Sequence, residues 1–227
     1  RQCTTLSTMF GSHLQGMPII AENGTYVVRD GVDISSSTID PNLTREVITG
    51  VRQLRNDGHD VGLVVATKSI AYLERGDDPF VSHVATYYHS HRIVKDLSEH
   101  TDDVIKLSIY DFREASEATY PTMQRTAPEH QVILATPNWV DIMNPGVNKG
   151  SAVEAVQRDL GVTADQTAIF GDFLNDLEMM PMAKWSFAMA NGHPNIVKAS
   201  NYVAPPNTEN GVITVLAALL GTRVPIT

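Results

Sequence analysis

Thr167-Ala168-Ile169-Phe170-Gly171-Asp172-Phe173-Leu174-Asn175-Asp176 joins a short apolar run to a Gly-Asp pair and then to an Asn-Asp pair. The apolar residues before Gly171 predict a short buried strand, and Leu174 to Ala183 predicts the helix that follows it. In a parallel α/β sheet, ligands gather at the carboxyl ends of the strands. Asp172 is therefore expected at the mouth of a crevice with its carboxylate free for a cation. Asp176 follows one helical turn later. Two carboxylates so spaced suit Mg²⁺, which takes oxygen ligands, keeps several waters and draws further ligands from substrate phosphate. For an isolated Gly-Asp the alternative is a carboxylate that only caps the next helix.

A second element lies upstream, at Asn144-Pro145-Gly146-Val147-Asn148-Lys149-Gly150-Ser151, ahead of a helical pattern from Ala152 to Leu160. Asn148 is the expected N-cap and Gly161 the expected residue just past the helix end. Lysine in a first turn is poorly placed for the helix dipole, which favours negative charge there. It is well placed to anchor a phosphoryl oxygen, because its ammonium and the free backbone N–H groups point at the same anion. A solvated loop lysine is the other reading. The Gly-Lys-Ser/Thr order of a nucleotide-binding P-loop is absent.

Asn148-Lys149-Gly150 and Gly171-Asp172-Phe173-Leu174-Asn175-Asp176-Leu177-Glu178-Met179-Met180, with Phe187-Ala188-Met189-Ala190-Asn191-Gly192 and the early Ile19-Ile20-Ala21-Glu22-Asn23-Gly24, resemble the haloacid dehalogenase superfamily of phosphatases. The likeness is to the Cof-type sugar-phosphatase branch with a large α/β cap, and it extends to Tyr88-His89 and Ile93-Val94-Lys95-Asp96. It implies an α/β fold: a Rossmann-type parallel core from residues 1–35 and 145–227, N-terminally incomplete, with an inserted α+β cap at residues 36–144. It further implies Mg²⁺-dependent hydrolysis of small phosphate monoesters, sugar phosphates above all, through an aspartyl-phosphate intermediate. Lys149 would neutralise a phosphoryl oxygen and orient the nucleophile. Asp172 would bind Mg²⁺, Asp176 would support the metal directly or through water, and Asn175 and Asn191 would contact substrate. The family's Asp-x-Asp nucleophile motif is missing. Arg1 fits a position just past the family's second motif, so the nucleophile, the acid/base and a phosphate-binding hydroxyl are expected upstream. Asp30 and Asp33 are three residues apart rather than two, and Thr67 precedes Lys68 rather than Gly, so they do not replace those motifs. A phosphomutase of the same superfamily and a noncatalytic binding protein are the alternatives.

Bulk properties agree with a cytoplasmic metabolic enzyme. The 227-residue chain can bury a sizeable core, and 42% of it is hydrophobic without an apolar run long enough to span a bilayer. Cys3 is the single cysteine and is expected as a reduced thiol. A formal charge of −9 and a pI near 5.3 disfavour nonspecific nucleic-acid binding. The expected partner is a small phosphorylated metabolite, with no nucleic acid and no membrane, for a monomer or weak homodimer. His89 and His91 lack the companions of a zinc site. Met179, Met180 and Met182 are expected to pack the helix behind the site.

Periodicity predicts a helix over Thr4 to Leu14, a strand over Met17 to Ala21, and a hairpin arm over Thr25 to Arg29 that turns at Asp30-Gly31. Ile34 to Thr38 is polar and unpatterned and reads as a linker. Asn42 to Asn56 reads as an amphipathic helix and Val61 to Ala66 as a strand. Helix and strand patterns then alternate at Phe80 to Tyr88, Val104 to Tyr110, Arg113 to Arg125, Gln131 to Ala135 and Trp139 to Met143. Strand and helix pairs at Thr167, Trp185 and Asn201 close the chain, the last ending in the apolar helix Val212 to Leu220.

Overall fold

A computed structural model describes residues 1–222, a mixed α/β chain in two compact units, Arg1–Val147 and Asn148–Thr227. Each unit carries its own sheet or sheets.

The first unit opens with α1 (Cys3–Phe10). The helix predicted to reach Leu14 breaks at Gly11, whose φ of 53° leaves the right-handed region, and finishes as a 3₁₀ turn. An antiparallel sheet follows, made of β1 (Ile19–Ala21), β2 (Tyr26–Arg29) and β3 (Val32–Ser36). Asp30 and Gly31 have φ of 49° and 78°, the positive values that a two-residue hairpin turn needs. The linker expected at Ile34 to Thr38 is corrected by β3, which pairs with β2 through Val28↔Asp33 and Tyr26↔Ser36. This strand shows no apolar alternation because it is mostly exposed. Side chains add to its backbone ladder: Tyr26 donates its hydroxyl hydrogen to Asp33 at 2.8 Å, and Lys68 sits 2.5 Å from the same carboxylate.

The rest of this unit is a six-stranded sheet with helices against it. In chain order come α2 (Pro41–Asn56), β4 (Val61–Thr67), β5 (Ala71–Leu73), α3 (Asp78–Ala85) and β6 (His91–Ile93). Then come β7 (Val104–Asp111), α4 (Thr119–Thr126), β8 (Gln131–Thr136) and β9 (Trp139–Met143). The strands lie in the order β6-β5-β4-β7-β9-β8, antiparallel except for β5 beside β6. Asp40 caps α2 by accepting from the Asn42 N–H at 2.7 Å, and Pro41 sits where a helix tolerates it. Leu43, Val47, Ile48, Val51 and Leu54 recur at helical spacing and bury against Leu63, Val65, Leu107 and Ile109 of the sheet. Phe80 fills the other side, and Gly62 makes room for it: a Cβ there would stand 2.4 Å from the ring.

The second unit holds α5 (Lys149–Leu160), β10 (Ala168–Gly171), a 3₁₀ helix over Leu174–Met182, β11 (Trp185–Met189), α6 (Pro194–Ala199), β12 (Tyr202–Ala204) and α7 (Gly211–Leu220). Strands β10, β11 and β12 form a parallel sheet in that order. The helix predicted after Asp172 is present, but as a 3₁₀ helix, with Pro181 inside it and unable to donate a helical hydrogen bond. Met180 packs with Ile169 and Ala183, flanked by Met179 and Met182. Among the described residues, no helix is long and apolar enough to cross a membrane.

Candidate functional site

Parallel pairing brings the carboxyl ends of β10, β11 and β12 to one edge of the second unit's sheet, with Gly171 level with Ala188 and Ala188 level with Val203. The loops leaving that edge carry Asp172, Asn191 and Asn207.

Lys149 comes from α5, whose start is locked by its own sequence. The Asn148 side chain accepts from the Ser151 N–H at 2.9 Å, and the Ser151 hydroxyl accepts from the Asn148 N–H at 3.1 Å. Gly161 ends the helix with φ at 64°. Gly150 lets the first turn sit directly on the 3₁₀ helix, because a Cβ there would stand 2.2 Å from the Glu178 carbonyl oxygen. The lysine beside it is consequently not a solvated loop residue. Its Nζ is 2.5 Å from Asp176 Oδ1, with side-chain exposures of 28% and 7% for the lysine and the carboxylate.

Asp176 works in two directions. Its other oxygen, Oδ2, accepts from the backbone N–H groups of Asp172 at 3.0 Å and Phe173 at 3.3 Å. One buried carboxylate thus ties the loop leaving β10 to the start of α5. Gly171 permits this tight exit, since a Cβ there would meet Met180 Cε at 2.3 Å and Asp176 Cβ at 2.9 Å.

Asp172 is exposed, and its Oδ2 accepts from Asn207 Nδ2 at 3.3 Å. Its backbone carbonyl accepts from the His193 N–H at 2.8 Å. Asn191 and Asn207 hold each other: Asn191 Nδ2 donates to Asn207 Oδ1 at 2.8 Å, and the Asn207 N–H donates to Asn191 Oδ1 at 3.1 Å. Gly192 is required by close approach, with a Cβ there falling 3.0 Å from the Asp172 carbonyl oxygen and 2.9 Å from that of Met189. Asn175 is exposed and makes no side-chain hydrogen bond among the described residues.

Lys149, Asp172, Asp176 and Asn191 therefore belong to one connected cluster, whereas Asn175 stands beside it untethered. Sequence reading missed Asn207 and His193. The signal for Asn207 was its place in Pro205-Pro206-Asn207, immediately past the third predicted strand and hence at the same sheet edge. Chemically, the cluster offers an ammonium, side-chain amides and an outward carboxylate. Such a carboxylate fits a hard divalent ion that completes its shell with water and phosphate. Among the described residues no group of three or more His, Cys, Asp and Glu is placed to hold a metal, so the fit rests on Asp172, both Asp176 oxygens being engaged by N–H donors.

The family model for haloacid dehalogenase-like hydrolases matches residues 1–216. The chain is similar to the 5-amino-6-(5-phospho-D-ribitylamino)uracil phosphatase YbjI of Escherichia coli, at 27% identity over 97% of this chain and 80% of that protein. Among solved structures, a haloacid dehalogenase-like hydrolase from Bacteroides thetaiotaomicron superimposes with a TM-score of 0.82 at 19% identity, covering 95% of this chain and 81% of that one. A Thermotoga maritima structure gives 0.83 at 23% identity over 96% and 82%. These structural likenesses speak to the fold.

Proposed function

Because the chain belongs to the haloacid dehalogenase-like hydrolase family, we propose that it hydrolyses small phosphate monoesters, sugar phosphates among them, with Mg²⁺ as cofactor. The observation that carries this reading is the Lys149–Asp176–Asp172 cluster at the carboxyl edge of a parallel sheet. The phosphatase activity of the similar YbjI agrees with it.

In the proposed reaction the phosphoryl group passes to an enzyme aspartate, and water then releases it as phosphate. Negative charge spreads over the phosphoryl oxygens as the ester bond breaks, so groups that bear or accept that charge carry most of the catalysis. Lys149, held by Asp176 at the start of α5, would meet one phosphoryl oxygen alongside the free N–H groups of the helix end. Asp172, with Asp176 behind it, would hold Mg²⁺, which supplies Lewis-acid charge neutralisation when bound. Asn175 is free to donate its amide to the phosphoryl group, and Asn191 would contact substrate from the neighbouring loop. The same reading assigns residues 1–35 and 145–227 to a core and 36–144 to a cap that selects the substrate, in a cytoplasmic protein.

The test is phosphate release by the full natural chain from a panel of sugar phosphates, with Mg²⁺ and with a chelator. Release that depends on Mg²⁺ supports the proposal. Mg²⁺-independent release, or none above background across the panel, refutes it.

A further inference from the structure

Asp172 is held at its backbone from two sides. Its N–H donates to Asp176 Oδ2 at 3.0 Å, and its carbonyl accepts from the His193 N–H at 2.8 Å. The side chain is exposed, and an exposed aspartate ordinarily samples more than one rotamer. Here Asn207 restrains it, donating from Nδ2 to Oδ2 at 3.3 Å. Among the described residues the other oxygen, Oδ1, accepts no hydrogen bond, which leaves it for a cation.

An asparagine amide can turn either its oxygen or its nitrogen to a neighbour, and only the nitrogen can donate to a carboxylate. The backbone dictates the choice at Asn207. Its own N–H donates to Asn191 Oδ1 at 3.1 Å, and because a main-chain N–H can only donate, Asn191 must offer its oxygen there. Asn191 Nδ2 then faces Asn207 Oδ1 and donates to it at 2.8 Å. With its oxygen so engaged, Asn207 has its nitrogen left for Asp172. Flipping either amide would break two of these three bonds.

The loop that carries Asn207 is braced. Pro205 and Pro206 fix two φ angles just before it, and Asn207–Glu209 closes as a 3₁₀ turn in which the Glu209 N–H donates to the Pro206 carbonyl at 3.0 Å. Asn210 follows in the left-handed region at φ 54°, and Gly211 passes so near that a Cβ would stand 1.9 Å from the Pro205 carbonyl oxygen. The Ala190 N–H donates to the Ala204 carbonyl at 2.9 Å, tying the Asn191 loop to this one.

We propose that Asn207, braced by Asn191, is a positioning residue for Mg²⁺ binding, fixing Oδ2 of Asp172 so that Oδ1 is presented to the ion. The inference rests on the reading of Asp172 as the Mg²⁺ ligand. Partners that orient a metal ligand from behind are commonly worth about ten- to a hundredfold in metal affinity or activity. Asn191 spends one amide hydrogen on Asn207 and keeps the second for the substrate contact proposed above.

The experiment is calorimetric titration of the full natural chain with MgCl₂, on wild type, Asn207→Ala, Asn191→Ala and Asp172→Asn, with circular dichroism to establish folding. Release of phosphate from p-nitrophenyl phosphate is followed in parallel as Mg²⁺ is raised. Asn207→Ala should bind Mg²⁺ about tenfold more weakly, and Asn191→Ala should shift it in the same direction by less, because the Asn207 amide is still there. The half-saturating Mg²⁺ for turnover should rise about tenfold in Asn207→Ala while kcat at saturating Mg²⁺ stays near wild type. Lowered kcat at unchanged half-saturation would indicate a merely structural role and overturn the inference. Wild-type Mg²⁺ affinity in folded Asn207→Ala, where Asp172→Asn binds more weakly, overturns it as well and leaves Asp172 as the ligand. Unchanged Mg²⁺ affinity in Asp172→Asn refutes the reading of Asp172, and the inference with it. Should Asn207→Ala fail to fold, Asn191→Ala decides by the same two measurements.

Discussion

Replacing Lys149 with Met distinguishes a phosphate anchor from an ordinary surface lysine, and the structure changes what should be seen. An exposed lysine contributes no more than about 0.5 kcal/mol to stability. Lys149, however, is 2.5 Å from Asp176, a carboxylate with 7% side-chain exposure. Breaking a fully buried pair costs about 3–5 kcal/mol through the charge left behind. Here Asp176 keeps two backbone N–H donors and the lysine side chain is 28% exposed, so about 2 kcal/mol is the better figure for Lys149→Met. Asp176→Asn should cost less, about 1 kcal/mol, because the ammonium it releases can reach water. The double variant removes both charges and should recover much of the loss, giving a coupling of about 1–2 kcal/mol in urea unfolding at unchanged slope. Turnover should behave differently. Taking a charge-stabilising group out of a phosphoryl-transfer site raises the barrier by roughly 3 kcal/mol, about a hundredfold in rate, and the double variant should recover none of it. Zero coupling would show that the pair does not form in solution. Wild-type turnover in Lys149→Met would remove this residue from the site.

Asp172→Asn should reduce Mg²⁺-dependent phosphate release and weaken Mg²⁺ in a calorimetric titration, while stability stays within about 0.5 kcal/mol, because the carboxylate is exposed and, among the described residues, accepts only one long bond, from Asn207. Gly150→Ala should destabilise the protein by about 1–3 kcal/mol in urea unfolding despite the better helix former, since the added Cβ meets the Glu178 carbonyl at 2.2 Å. In the first unit, Ser98 and then Arg52 hold the Asp96 carboxyl down at about 2. A lowered carboxyl stabilises the fold above its unfolded value, near 3.9, and loses that contribution as pH falls through the folded value. The stability difference between wild type and Asp96→Asn should therefore be constant from pH 7 to about 5 and shrink between about pH 4 and 2, as followed by urea unfolding across that range.

What sequence could and could not reveal follows from the kind of force at each place. Helices α2 and α5 were legible because periodicity and caps act locally: Asp40, Asn148 and Gly161 each satisfy or end a helix within a few residues of themselves. The hairpin at Asp30-Gly31 was legible for the same reason. β3 was not, because its stability comes from partners distant in the chain, such as Lys68, and its exposed face leaves no alternation to read. β5 and β6 span only Ala71–Leu73 and His91–Ile93, too short for any period to register. In the site, the residue types of Lys149, Asp172 and Asp176 were visible, but their connection was not. A lysine at a helix start opposes the helix dipole, and only the fold discloses that a carboxylate from the next helix stands beside it. Gly150, Gly171 and Gly192 convey the same lesson. None of them has a positive φ, so no turn rule explains them; each is demanded by another segment's backbone or side chain arriving within about 3 Å of where a Cβ would be. The site's precision thus resides in close approaches between segments, and the small residues that permit them are as necessary to its geometry as the charged ones that give it chemistry.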